Sequence, residues 1–177
     1  MLVNGYFDYF CRSHSDYLCV KQNDRSYTYT EFNSYIEEVQ RALHATGIGE
    51  SDRVAVLSTN SIEQLVLFYA CMNLGAVYVP LNFRLAPAEL DYILADARAK
   101  IIFVGDESLA QIVDRSQFSN DKVIFGKGGM SGWLKWADFL AKGGACDSLP
   151  VIGQDPQTTI YQMYTSGTTG KPKGVQV

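Results

Sequence analysis

Asp52-Arg53-Val54-Ala55-Val56-Leu57, then Asn60-Ser61-Ile62-Glu63 opening an apolar stretch to Asn73, then Gly75 and Ala76-Val77-Tyr78-Val79-Pro80, is the stretch that decides the fold. A short apolar run bounded by turn formers reads as a strand buried on both faces. Asn60 and Glu63 have capping-box spacing, which predicts a helix through about Asn73, with Gly75 as its stop. Ala76 to Pro80 is then a second buried strand. The cadence continues toward the C-terminus. Pro87 sits at a helix start, with Leu90, Ile93, Leu94 and Ala97 on one face. Ile101-Ile102-Phe103-Val104 is a third strand, and Asp106 caps a short helix carrying Leu109, Ile112 and Val113. Lys122-Val123-Ile124-Phe125 is a fourth strand. Strand–helix alternation at this pitch predicts an α/β fold: βαβ units, a mostly parallel sheet flanked by helices on both faces, and right-handed crossovers.

Toward the N-terminus the pattern is more local. Tyr6 to Ser15 reads as a helix whose aromatics Tyr6, Phe7, Tyr9 and Phe10 cover one broad face. Tyr17 to Lys21 and Arg25 to Tyr29 read as two short strands, with a hairpin turn at Asn23-Asp24. Thr30 is the predicted N-cap of a helix bearing Phe32, Tyr35, Ile36, Val39 and Leu43, with Glu31 in its first turn and Gly47 as its C′ residue. Beyond the fourth strand, Gly126 to Gly132 with Lys127 reads as a loop excursion rather than a phosphate site, because it carries no recognisable motif. Trp133 to Leu140 reads as a short apolar helix ended by Gly143-Gly144, and Cys146 to Pro156 as a linker. The expected division is an α/β subdomain over 1–150, then a linker, a strand and a loop over 151–177.

The 177 residues suffice for one sizeable core, and 47% hydrophobic with 19% charged residues fits a water-soluble globular chain. A formal net charge of −4 without a basic block leaves no electrostatic footprint for nucleic acid. The four cysteines, Cys11, Cys19, Cys71 and Cys146, form no C-x-x-C pair, and His14 and His44 are the only histidines. Free thiols are expected, Cys71 as a small buried hydrophobe, and no structural metal site. The first residues lack a basic, then apolar, secretory signal, and the longest apolar run, Leu65 to Met72, is too short to cross a bilayer, so cytoplasm is the expected location.

Chemistry concentrates near the end, in Tyr164-Thr165-Ser166-Gly167-Thr168-Thr169-Gly170-Lys171-Pro172-Lys173-Gly174-Val175. Glycines let backbone N–H groups close around an anion, hydroxyls add donors, and lysines add compact positive charge. A polyphosphate needs all three. A Walker A loop would have Gly-x-x-x-x-Gly-Lys followed by Ser or Thr and a helix. Here the spacing is Gly167-x-x-Gly170-Lys171, and Pro172 pushes Lys171 toward extended backbone. Thr159 to Tyr164 and Val175 to Val177 flank the loop as strand-like segments.

This string closely resembles the phosphate-loop signature of the adenylate-forming, or AMP-binding, enzymes: acyl-CoA synthetases, amino-acid adenylation domains and firefly-type luciferases. Two earlier segments support the resemblance. Tyr27-Thr28-Tyr29-Thr30-Glu31-Phe32 is similar to a segment near the start of these enzymes. Asn73-Leu74-Gly75-Ala76-Val77-Tyr78-Val79-Pro80-Leu81-Asn82, continuing through Phe83-Arg84-Leu85-Ala86-Pro87-Ala88-Glu89-Leu90, is similar to another. Asn82, where adenylation domains usually have Asp, makes the acyl-CoA synthetases the nearer likeness. The resemblance implies that a carboxylate attacks the α-phosphorus of ATP, releasing pyrophosphate, and that the thiol of coenzyme A then takes the acyl group. It implies ATP with Mg2+ as counter-ion, coenzyme A, and a fatty or aryl carboxylic acid as partners. It places Thr165, Ser166, Gly167, Thr168, Thr169, Gly170, Lys171, Lys173 and Gly174 at the β- and γ-phosphates. Lys171, nearer the glycines, is the preferred phosphate contact, although sequence leaves the choice between the two lysines open.

The same resemblance puts the acyl-pocket motif, the magnesium-holding acid, the ribose-binding Asp and the catalytic Lys of the small C-terminal domain beyond Val177. The chain is therefore expected to be an N-terminal fragment with no catalytic residue of its own, inactive alone, with a homodimer through uncovered surface as one expectation. The competing readings are another adenylate-forming enzyme such as an amino-acid adenylation domain, an NTPase with an unusual loop, and a non-catalytic interaction module.

Overall fold

A computed structural model describes residues 3–126, 128–145, 149, 157–165 and 171–177. Its elements in chain order are α1 (Val3–Ser13), β1 (Leu18–Gln22), β2 (Arg25–Thr28), α2 (Tyr29–Ala45), β3 (Arg53–Leu57), α3 (Ile62–Asn73), β4 (Val77–Leu81), α4 (Pro87–Ala97), β5 (Ile101–Val104) and α5 (Glu107–Asp114). There follow β6 (Asp121–Ile124), β7 (Leu134–Lys135), α6 (Trp136–Lys142), a 3-10 turn at Gly143–Ala145, β8 (Gln162–Thr165) and β9 (Lys173–Gln176). Five strands form a parallel sheet in the order β4-β3-β5-β6-β7.

The two-residue period of a strand sorts the sheet's side chains into two cores. Val54, Val56, Tyr78, Ile101, Phe103 and Val123 face a core shared with α2, α3 and α6. Ala55, Leu57, Val77, Val79, Leu81, Ile102, Val104 and Ile124 face the other, shared with α4 and α5. Both faces are apolar, which is why the strands read as continuous apolar runs. From β3 the chain steps outward to β4 through α3, then back past β3 to β5 through α4. The two connections run in opposite directions and lie on opposite faces, as a constant crossover hand requires.

The predicted helix faces agree: Leu90, Ile93, Leu94 and Ala97 of α4 are all buried. Gly47 and Gly75 take positive φ, at 81° and 63°, where α2 and α3 stop. The predicted hairpin turn holds too, with Asn23 at φ 53° between the antiparallel β1 and β2.

Three local expectations are corrected. The N-cap of α2 is Thr28, not Thr30. Thr28 Oγ1 accepts the Glu31 N–H at 3.2 Å and Glu31 Oε2 accepts the Thr28 N–H at 2.8 Å, a complete capping box. The N–H groups of Tyr29 and Thr30 are taken by the carbonyls of Tyr17 and Ser15, so the first turn starts earlier than the apolar pattern suggests. The N-cap of α3 is Ser61, whose Oγ accepts the Gln64 N–H at 3.2 Å. Glu63 is thereby freed from capping and pairs with both terminal guanidinium nitrogens of Arg25 on β2. Finally, Leu134-Lys135 adds a strand beside β6 and the helix begins only at Trp136. Trp133 Nε1 donates to Asp114 on one side of the sheet and Trp136 Nε1 to the Tyr35 hydroxyl on the other. Residues three apart in a helix share a face, so opposite anchors favour extended backbone here.

Of the four aromatics of α1, Phe7 is buried, while Tyr6, Tyr9 and Phe10 are exposed: positions 6, 7, 9 and 10 span more than the stripe that meets α2 and α3. Cys71 is buried, and burial pushes its thiol up, in keeping with a packing role. Cys146 and most of the expected 146–156 linker lie outside the described residues.

Candidate functional site

The C-terminal strands form an antiparallel hairpin against the outer edge of β4. Its pairs are Gln162 with Gln176, Met163 with Val175, Tyr164 with Gly174 and Thr165 with Lys173. Tyr161 bridges Tyr78 in parallel register, and the Tyr78 N–H donates to the Ile160 carbonyl at 3.0 Å. The two rings stack with centroids 5.9 Å apart. A strand pair too small to stand alone is thus anchored to the main sheet at its open end.

Thr165 and Lys173 form the last pair before the residues that connect the two strands, and the hydroxyl, glycine and lysine stretch of the sequence includes that connection. Of the residues expected at the phosphates, Thr165, Lys171, Lys173 and Gly174 are described; Ser166, Gly167, Thr168, Thr169 and Gly170 lie outside the described residues. Lys171 sits in a bend, and extended chain resumes at Lys173. The helix that an NTPase loop would place directly after its lysine is replaced by β9.

Alternation along the hairpin separates its side chains. Gln162, Tyr164 and Gln176 share one face; Met163, Thr165, Lys173 and Val175 share the other. On the first face the Tyr164 hydroxyl donates to Asp96 Oδ2 of α4 at 2.6 Å and accepts from Gln162 Nε2 at 2.9 Å. Burial, and then the Asp96 carboxylate, push the Tyr164 phenol up, so it stays a donor well into alkali. A Cβ on Gly174 would lie 2.6 Å from Gln162 Nε2, 3.0 Å from Tyr164 Cζ and 3.1 Å from Tyr164 Oη. A side chain at 174 would therefore crowd the neighbouring ring, which favours glycine there independently of any ligand. Lys171 Nζ lies 5.6 Å from the centre of the Tyr92 ring, within cation–π range. The two lysines have different settings: Lys171 rests over α4, and Lys173 is exposed on the opposite hairpin face.

Tyr92, Asp96 and Gln162 were not singled out by sequence. Tyr92 and Asp96 lie at i, i+4 on α4, but nothing local links residue 96 to residue 164. The residues of the earlier shared segment do structural work: Asn82 Oδ1 accepts the Arg84 N–H at 3.0 Å, and Glu89 Oε2 accepts the Ala86 N–H at 2.9 Å, closing the turn into α4. In the glycine-rich excursion, the Gly129 N–H donates to Glu107 Oε1 at 2.8 Å, so a carboxylate already uses it. Among the described residues there is no group of three or more His, Cys, Asp or Glu able to hold a metal ion, and no helix long and apolar enough to cross a membrane.

The chain is 37% identical over 153 residues to an indoleacetate–CoA ligase of Aromatoleum aromaticum, covering 85% of this chain and 30% of that enzyme. It is 39% identical over 151 residues to the long-chain-fatty-acid–CoA ligase FadD13 of Mycobacterium tuberculosis, covering 84% of this chain and 29% of the enzyme. The chain thus spans about a third of the length of these relatives. It superposes on the anthranilate CoA ligase AuaEII in complex with anthranoyl-AMP with a TM-score of 0.83 and 27% identity, over 96% of this chain and 34% of that one. The model of the AMP-binding enzymes matches residues 7–177. This chain belongs to the AMP-binding enzyme family.

Proposed function

We propose that the chain is the N-terminal part of an ATP-dependent acid–thiol ligase and that its hairpin end grips the outer phosphates of ATP. The observation that carries this reading is the hairpin itself: Thr165 and Lys173 are paired across the root of a glycine- and hydroxyl-rich connection, with Lys171 beside them. In this reading 1–150 is the supporting α/β subdomain, and 151–177 supplies linker, strand and loop.

In the first half-reaction a carboxylate oxygen attacks the α-phosphorus, the bond to the bridging oxygen breaks, and pyrophosphate leaves with the electron pair. In the second, a thiolate sulfur attacks the acyl carbon and AMP leaves. Charge accumulates on the departing pyrophosphate, where N–H groups, hydroxyls and lysines stabilise it best if already in place. The loop is assigned that task. Magnesium enters as the counter-ion of ATP, and coenzyme A is the assigned thiol. The acid is assigned to the fatty and aryl carboxylates, since the relatives act by name on a long-chain fatty acid and on indoleacetate.

The test is ATP–pyrophosphate exchange with a panel of fatty and aryl acids. The 177-residue chain is expected to show no exchange above background, and the longer ligase robust exchange. In the ligase, Lys171→Ala/Lys173→Ala is expected to slow exchange while thermal unfolding is unchanged. Equal exchange in the variant and the parent enzyme would remove the lysines from the reaction.

A further inference from the structure

Most of the large apolar side chains left exposed among the described residues gather on one face: Tyr6, Tyr9 and Phe10 of α1, Tyr17 and Leu18 at the entry to β1, and Leu65 of α3. Their rings touch in a chain. Centroids lie 5.4 Å apart from Tyr9 to Phe10, 5.4 Å from Phe10 to half-buried His14, and 5.0 Å from His14 to Tyr17. Beside this chain Tyr6, Phe10 and Leu65, with Tyr29 and Tyr69, line a groove of about 410 Å³, room enough for an aromatic side chain. A contiguous exposed aromatic face marks an interaction surface.

The chemistry of the face points to its occupant. Asp8, Arg12 and Asp16 flank the rings, and none of them forms an ion pair among the described residues. Two carboxylates against one guanidinium disfavour an anionic lipid surface. Tyrosine and phenylalanine with arginine at the edge are instead the make-up of a protein interface. The face also fits itself. It carries both a projecting ring, Tyr9, and a groove that takes one. Asp8 and Arg12 stand one helical turn apart, so a copy of α1 running the opposite way sets each against its opposite charge. The area suffices as well. At exposures of 59% for Tyr6, 52% for Tyr9, 37% for Phe10 and 66% for Tyr17, the four aromatics offer roughly 400 Å² of surface. A standard interface takes about 800 Å² from each partner, a little over half of it apolar.

We propose that this face is where two copies of the chain pair about a twofold axis, with the Tyr9 ring of each entering the groove beside Phe10 of the other. The pairing stands apart from the reading of the phosphate loop, which it neither uses nor supports.

The experiment is sedimentation velocity on the ligase and on the 177-residue chain, over a concentration series through about 10 μM, since interfaces of this size hold at micromolar Kd or better. Both are expected to sediment as dimers. Tyr9→Glu, which places a charge where a central ring is buried, is expected to raise the dimer Kd about thirtyfold or more. Tyr17→Glu is expected to act in the same direction. Met163→Glu, on the exposed face of the hairpin, should leave the Kd unchanged. Thermal unfolding checks that each variant is folded. Should Tyr9→Glu fail to fold, Tyr17→Glu, outside the helix, carries the same test. Monomers of both proteins throughout the series would overturn the proposal. So would a dimer that survives Tyr9→Glu and Tyr17→Glu, because the pairing would then lie elsewhere. A monomeric ligase beside a dimeric 177-residue chain would show the face covered within the ligase and would overturn it too. A monomeric ligase that floats with phosphatidylcholine vesicles, and no longer does so as Tyr9→Glu, would assign the face to lipid instead.

Discussion

Replacing Gly174 with alanine tests the hairpin's packing without touching any charge. The backbone of Gly174 is not left-handed, so alanine meets no conformational barrier there. The added methyl would stand 2.6 Å from Gln162 Nε2 and 3.0 Å from Tyr164 Cζ. The amide is the end of a flexible side chain and can move aside. The ring must give by a few tenths of an ångström, against the 2.6 Å bond that ties its hydroxyl to Asp96. Overpacking costs about 1–3 kcal/mol. Alanine in place of a strand glycine returns about 0.5–1 kcal/mol. The mid-range balance, about 1 kcal/mol, is roughly a fivefold increase in local opening. Amide hydrogen exchange reads this directly. Exchange at Met163 and Val175, a hydrogen-bonded pair of the hairpin, should quicken by that factor in Gly174→Ala, while Val56 and Phe103 in the central strands keep their protection. In a Tyr164→Leu background, which removes the ring tip, the same alanine should add little. Unchanged exchange in Gly174→Ala, or an equal effect in both backgrounds, would refute the claim that the Tyr164 ring favours glycine at 174.

Two further outcomes follow from one long-range ion pair and one local helix cap. Arg25→Ala should lower stability by about 1–2 kcal/mol in urea unfolding, because it strands the buried Glu63 carboxylate while the lost guanidinium was itself half exposed. The loss should be smaller in Arg25→Ala/Glu63→Gln, where no charge is left behind. Asp106→Ala should cost about 1 kcal/mol through loss of the α5 cap. For Asp106, burial pushes the carboxyl up, but the Ser108 hydroxyl and the Leu109 and Ser108 N–H groups outweigh it and hold it below its ordinary value. A depressed carboxyl stabilises the fold above its unfolded-state pKa and loses that contribution as pH falls through the folded one. The gap between wild type and Asp106→Ala should therefore be full at neutral pH and close on acidification, as followed by thermal unfolding against pH.

The parts of the fold that were legible in the sequence are those set by short-range periodicity. Val54 and Val56 face one core and Ala55 and Leu57 the other because a strand alternates, and the apolar run announces both burials at once. Gly47 and Gly75 mark helix ends because positive φ is demanded there. The caps were misplaced by one or two residues where a long-range partner decided between candidates. Carbonyls of Ser15 and Tyr17 take the N–H groups that move the α2 cap to Thr28, and Arg25 draws Glu63 away from capping. β7 escaped for the same reason: the two tryptophans are anchored on opposite sides by Asp114 and Tyr35, about 20 and 100 residues away. In the candidate site, the loop composition spoke for phosphate, but its support on α4 joins residues 92 and 96 to residues 171 and 164, and no local pattern carries that pairing.

The most direct measurement is phosphorus NMR of ATP titrated with the ligase, wild type and Lys171→Ala/Lys173→Ala. A loop that grips the outer phosphates should shift or broaden the β and γ resonances in the wild type, and the change should largely vanish in the lysine variant while that variant remains folded. β and γ resonances equally perturbed in both proteins, or unperturbed in an enzyme that still forms adenylate, would contradict the account.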